Sequence, residues 1–166
     1  KPYRHFNNAA VAMVSEMTEP CEHCGRWPAP KLTVDAVVEK NGQITVLNPQ
    51  ARHNIAVGIF HHCKIHIKGS VGYYCASLLD GPEVTIEGNS GWAMGENLMS
   101  GKITLSRDAG ASVAASMRGG QVFVGGNAGA RAGISMKGGT LVVGGNAGFM
   151  SGLMMQKVRI IVCGNV

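Results

Sequence analysis

From Lys64 onward the chain repeats one short pattern of apolar and polar positions. Apolar residues flank a middle position in Ile65-His66-Ile67, Val84-Thr85-Ile86, Ile103-Thr104-Leu105, Val122-Phe123-Val124, Leu141-Val142-Val143 and Ile160-Ile161-Val162. A period of two over so few residues marks a strand, and the runs are too short for helices. Each run is followed by a Gly/Asn turn and a small-residue stretch that ends in Met, Lys or Arg, and Gly. Reference positions at Gly69, Gly88, Arg107, Gly126, Gly145 and Gly164 each fall nineteen positions after the last, without one insertion.

A fixed period of this size is the mark of stacked repeats. Nineteen residues at about 3.3 Å each give roughly 63 Å of extended chain, enough for one coil with three short sides. Helical repeats are disfavoured because glycine would recur inside every helix, at about 1 kcal/mol each relative to alanine. A leucine-rich repeat shares the V-x-V-x-x-N pattern but fails on two columns, with Gly119 and Gly129 standing where apolar residues belong. The expected fold is all-β: a right-handed parallel β-helix over residues 32–166, regular from about residue 64. Residues 1–31 form a short irregular or helical N-terminal arm.

Stacking in register gives each column a purpose. Gly72, Gly91, Gly110, Gly129 and Gly148 fall at a corner that needs positive φ or leaves no room for a Cβ. Ser70, Asn89, Asp108, Asn127, Asn146 and Asn165 form a polar ladder whose side chains bond the coil above. Leu79, Leu98, Met117, Met136 and Met155 make an apolar stack that fills the interior with the flanking strand residues. At about 1.5–3 kcal/mol per buried side chain, two or three per coil offset much of the ordering entropy.

The middle strand position points outward, and going up the stack it changes from His66, Thr85 and Thr104 to Phe123, Val142 and Ile161. Three stacked apolar residues about 4.8 Å apart suit a subunit interface. The alternative is cover by a continuation of the chain, since Val166 falls in mid-repeat and a final coil needs a cap.

Composition narrows the class. Glycine at 24 of 166 residues is about twice the usual ~7%, without a collagen period, and the apolar content of 45% is enough for a core. No apolar run reaches the ~20 residues of a membrane span. The opening from Lys1 lacks a signal-peptide layout and reads as a processed or trimmed soluble chain. The net charge of +5 is spread along the chain without Lys/Arg runs beside stacking aromatics, which argues against a nucleic-acid surface. Five cysteines in no regular framework point to a reducing cytoplasm.

Self-contained chemistry is hard to find. No two glycines lie two positions apart, so the dinucleotide fingerprint is absent, and Gly101-Lys102 is followed by Ile103 rather than a phosphate-loop Ser or Thr. Neither H-E-x-x-H nor G-x-S-x-G occurs. His61, His62, Cys63 and His66 resemble a metal cluster until alternation is applied. Cys63 then faces inward, while His62 and His66 stand about 13 Å apart outside, too far to share one ion. Cys75 and Cys163 fall in columns of small or apolar residues and read as packing.

Cys21-Glu22-His23-Cys24 is the one short ligand spacing. Two thiolates two residues apart can meet one zinc or iron–sulfur centre, with His23, His5 or a partner completing it. Redox or disulfide chemistry, or no special role, are the other readings. Pro20, Pro28 and Pro30 make this stretch a loop, and a short helix starting at Asn8 precedes it, as an arm for a partner or a cap on the solenoid.

The run from Gly69 to Gly101, GSVGYYCASLLDGPEVTIEGNSGWAMGENLMSG, with GNAGARAGISMKGG from Gly126 and GNAGFMSGLMM from Gly145, resembles the GXGXG β-helix family. The resemblance covers about residues 44–166. This domain closes the large subunit of glutamate synthase and stands alone as the small subunit of N-methylglutamate synthase-type enzymes. The resemblance implies a subunit without catalytic residues of its own, and no cofactor is expected in this chain. Such a subunit holds a glutamine amidotransferase against a synthase subunit that carries FMN and an iron–sulfur cluster, beside the route of ammonia. The third subunit of formylmethanofuran dehydrogenase has similar repeats and implies a structural role in a C1 complex. A binding or assembly module without enzyme role is the remaining reading. The stretch before Lys31, with Cys21 and Cys24, departs from the family pattern.

Overall fold

The computed structural model describes residues 43–166 and the backbone of the strand at 35–38. Its strands are β1 (Asp35–Val38), β2 (Gln43–Leu47), β3 (Lys64–Lys68), β4 (Asp80–Ile86), β5 (Ser100–Leu105), β6 (Gln121–Val124), β7 (Thr140–Val143) and β8 (Arg159–Val162). They form one sheet in chain order, with β2 to β8 all parallel, so the chain winds as a β-solenoid of about six turns. Among the described residues no helix is long and apolar enough to cross a membrane.

Register follows the repeat. His66 pairs with Thr85, Thr85 with Thr104, Thr104 with Phe123, Phe123 with Val142, and Val142 with Ile161, one full repeat apart each time. Parallel strands need a crossover of a dozen or more residues, which the rest of each coil supplies. Two features lie outside that register. The step from β2 to β3 is longer than the repeat, since Gln43 pairs with Lys64. β1 runs antiparallel to β2, with Val37 opposite Thr45, and so covers the lower edge of the sheet.

The inward positions are shut off from solvent. Ile67, Ile86, Ile103, Val122, Leu141 and Val143 are fully buried, as are Leu79, Leu98, Met117 and Met136. At the last coil the same columns open, and Met155 is 48% exposed. The polar ladder is a chain of hydrogen bonds in which each side-chain oxygen accepts from the backbone N–H one coil up. Ser70 accepts from Asn89 at 3.1 Å, Asn89 from Asp108 at 3.1 Å, Asp108 from Asn127 at 2.7 Å, and Asn127 from Asn146 and Asn146 from Asn165 at 2.8 Å each. The glycine column at this corner is a matter of room rather than of φ. A Cβ on Gly91, Gly110, Gly129 or Gly148 would lie within 2.6–2.7 Å of backbone atoms in the coil below, and none of them has a positive φ.

The second side of each coil is a column of single bridges, Val71 to Ser90, Ala109, Ala128 and Ala147. Ser90 is the one polar member, and its buried hydroxyl has no hydrogen-bond partner. The third side is not the extended strand that the coil length suggests. It alternates right- and left-handed backbone, with Tyr74, Ala93, Ser112, Arg131 and Met150 all at φ 58–61°. Alternation turns N–H groups along the stack, with the middle left-handed residue of each rung, such as Ala114 to the Met94 carbonyl, donating down and the first donating up. Tyr74 donates to the Trp92 carbonyl, Ala93 to Ala111, Ser112 to Ala130 and Arg131 to Phe149, at 2.8–2.9 Å. These inter-coil bonds, repeated at alternate residues of the side, offset a left-handed cost of about 1–2 kcal/mol at each such position.

Candidate functional surface on the outer sheet face

Because strand residues alternate, the sheet carries a second face that looks away from the core. Its lower half is polar. Lys64 lies 4.0 Å from Glu83, and His66 Nε2 lies 2.6 Å from Glu87 Oε1. Lys64, His66 and Glu83, with Gln43, Ile65 and Thr85, line a depression of about 210 Å³. That is smaller than the 300–1,000 Å³ of typical ligand clefts.

The character changes at one rung. The Lys102 ammonium stands 5.2 Å from the centroid of the Phe123 ring, joining the charged half to the apolar half by a cation–π contact. Above it the centre line is Phe123, Val142 and Ile161, the first two partly exposed and Ile161 43% exposed. Gln121, Thr140 and Arg159 flank it on one side, and Gly125, Gly144 and Cys163 on the other. Two glycines without side chains leave a flat ledge beside the stripe, so a partner can reach the apolar side chains laterally as well as from above.

The histidine-rich stretch does not converge. His62 donates through Nδ1 to the Gly81 carbonyl at 3.1 Å, while His66 engages Glu87. Among the described residues no group of three or more His, Cys, Asp or Glu side chains could hold a metal ion. Cys63 is half-buried against the core, and burial pushes its thiol pKa up. Cys75 is enclosed completely, and burial pushes its thiol up to about 12. Cys163, expected to pack, is exposed. Its column runs Lys68, Glu87, Ser106, Gly125 and Gly144, on the outward phase at the strand ends, so its upper members are small on a surface ledge and not because the position is interior. Cys21, His23, Cys24 and the helix expected from Asn8 lie outside the described residues.

The thiols give a direct check. A neutral alkylating reagent at pH 8 should label Cys163 within minutes and leave Cys75 unlabelled until the chain unfolds, read by peptide mass. Since the folded Cys75 pKa exceeds the ordinary value of 9.0, the stability it contributes is complete below pH 9 and is lost as the pH rises from there towards 12. Chemical denaturation at pH 8 and pH 10.5 should therefore give a lower midpoint at the higher pH, and a Cys75→Ala variant should show less of that fall.

A feature that the repeat does not announce is an aromatic stack on the third side. His53 lies 4.5 Å from Tyr73, and Tyr73 lies 5.4 Å from Trp92, between ring centroids at interplanar angles of 23° and 20°. His53 Nδ1 also accepts from the Tyr73 N–H at 2.8 Å. His53 sits in the longer first coil, so a search at the constant repeat spacing does not align it with the two rings above.

Comparison with known proteins returns a partial likeness. No protein-family profile and no solved structure matches the chain. Protein GlxC of Rhizobium meliloti (strain 1021) is 49% identical over 41 residues, a stretch that is 25% of this chain and 18% of that protein. The chain is thus a parallel β-solenoid that shares a short, strongly similar segment with protein GlxC.

Proposed function

We propose that this chain is a non-catalytic structural subunit of a glutamate synthase-like assembly. It holds a glutamine amidotransferase subunit and an FMN-containing synthase subunit together and walls the passage of ammonia between them. The FMN and the iron–sulfur cluster reside in the partner, and this chain supplies shape and contact surface. The observation that carries the reading is the outer sheet face, where a polar half gives way above Lys102 to the apolar stripe of Phe123, Val142 and Ile161 beside a glycine ledge. A rigid sheet with an apolar centre and a charged rim is how a stable interface is built. The family resemblance supplies the kind of partner, and the 41-residue segment shared with protein GlxC supports the reading.

The variant Phe123→Asp/Val142→Asp tests it. Both side chains point away from the core, so far-UV CD should stay unchanged while the tagged chain no longer retains the amidotransferase and flavin subunits. Thr85→Asp, on the polar half of the same column, should leave the assembly intact. Retention of both partners by the double variant would contradict the placement of the interface on this stripe.

A further inference from the structure

Stacking gathers charges that the chain order keeps apart. Residues 43–98 hold three Lys or Arg against four acids, whereas residues 99–166 hold seven against one, Asp108. Five of the seven, Lys102, Arg118, Lys137, Lys157 and Arg159, fall at one corner, where the third side of the coil turns into the sheet, and all five are exposed. Arg118 and Lys137 occupy one column on consecutive coils, about 4.8 Å apart, and Lys157 stands one position beyond that column on the next coil. Lys102 and Arg159 share the column at the strand entrance, through the pairings of Lys102 with Gln121, Gln121 with Thr140, and Thr140 with Arg159. The patch therefore extends about 14 Å along the stack. Gly119-Gly120 and Gly138-Gly139 fill the turns between the two columns, so no side chain stands between the cations.

Lower in the same columns the charges are neutralised within the chain. Lys64, Glu83 and Lys102 alternate in sign at the strand entrance, with Lys64 and Glu83 4.0 Å apart, and Asp80 holds the corner position that Arg118 and Lys137 take above. Both ion pairs among the described residues, Lys64 with Glu83 and His66 with Glu87, lie on the lower coils and include none of the five cations. Asp108 stands past the far end of the strands, next to Arg107. Like charges on neighbouring rungs repel, and opposite charge brought from outside relieves the cost. The patch is also continuous with the apolar stripe, because Lys102 lies over the Phe123 ring. A nucleic-acid surface would set open stacking aromatics among its cations, whereas here the neighbouring side chains are Phe123 under Lys102 and the aliphatic Val142 and Ile161. An apolar centre flanked by unopposed charge fits a folded protein whose own rim is acidic.

We infer that the subunit seated on the stripe carries a row of Asp and Glu carboxylates that lies against Lys102, Arg118, Lys137, Lys157 and Arg159. This rests on the reading of the sheet face as an interface and adds the chemistry of the partner's surface.

Tagged wild-type and variant chains, expressed in the native cell, test it through the subunits each retains over a NaCl series, quantified by mass spectrometry. Wild-type retention should fall as NaCl rises. Arg118→Glu/Lys137→Glu should retain at least about tenfold less, and Lys137→Glu alone should retain measurably less, while Arg131→Glu, an equal change of charge on the third side, should match wild type. Far-UV CD reports that each variant is folded. Carbodiimide treatment of the wild-type assembly should join Lys137 or Lys157 to an Asp or Glu of the retained subunit. Equal retention by the double variant, equal loss in Arg131→Glu and Lys137→Glu, or crosslinks to neither lysine would overturn this inference while leaving the assembly itself in place. Loss of co-purifying nucleic acid in the double variant, with the protein subunits still retained, would overturn it by assigning the corner to nucleic acid. A wild-type chain that purifies alone would overturn both this inference and the function proposed above.

Discussion

Gly129→Ala is expected to destabilise the chain by about 3 kcal/mol or more, although it adds a single methyl group. The new Cβ would lie 2.7 Å from the Ala111 nitrogen and 2.9 Å from the Gly110 carbonyl carbon. Those are backbone atoms of the coil below, and they cannot rotate away. The coil below is itself held by the bonds that fix the stack. Gly129 N–H donates to the Ala109 carbonyl at 2.9 Å, and Asp108 accepts from the Asn127 N–H at 2.7 Å. Lifting one rung to make room therefore breaks the contacts of its neighbours, which in a solenoid carry the cooperativity. Gly58→Ala is the control. Gly58 sits at φ +69° with nothing within 4 Å of its Cβ direction, so alanine there meets backbone strain alone, worth about 1 kcal/mol. Equilibrium denaturation of the two variants side by side reads the difference. Equal costs would mean that the corner is not packed backbone on backbone.

Met117→Ala should cost about 2–5 kcal/mol, while Met155→Ala in the same column should cost less than about 1 kcal/mol. The two methionines occupy equivalent positions two coils apart. Met117 is fully buried, with Leu98 below and Met136 above, and truncation leaves a cavity that a stack of fixed rungs closes poorly. Met155 is 48% exposed, so its removal takes little from the core. The column is apolar from end to end, and burial alone separates the two costs. Thermal unfolding of both variants decides whether the interior is one continuous column.

How much of this was legible in the sequence depends on which force dominates at each position. Where packing decides, the pattern spoke clearly. Ile65 and Ile67, Val84 and Ile86, and Val122 and Val124 are buried as their alternation requires, and the ladder from Ser70 to Asn165 bonds coil to coil at the stated spacing. Where inter-coil hydrogen bonding overrides local preference, the pattern was silent. Tyr74 and Arg131 adopt φ 58° and 60°, which their residue types disfavour, because each N–H then meets a carbonyl of the next coil. Neither the longer first coil nor the antiparallel β1 could be read from a constant period, since both lie below the point where the repeat becomes regular.

The outer surface was legible in its sequence of residue types and not in its geometry. Phe123, Val142 and Ile161 could be placed on one line, but the cation–π contact of Lys102 and the ledge of Gly125 and Gly144 emerge only when the coils are stacked. Cys163 shows the limit of reading columns by size. Small residues occur both where backbone crowds and where a surface is flat, and only exposure tells the two apart. The stack of His53, Tyr73 and Trp92 crosses the irregular first coil and could not be aligned from the sequence.

The central claim is that this solenoid is the structural member of a glutamate synthase-like assembly. It is tested most directly by purifying the native assembly through a tag on this chain and recording its intact mass together with its visible absorption spectrum. The account predicts co-purification of an amidotransferase-sized subunit and a second, flavin-bearing subunit, with flavin absorption in the visible. A chain that emerges alone, or as a colourless assembly of its own copies, would contradict it.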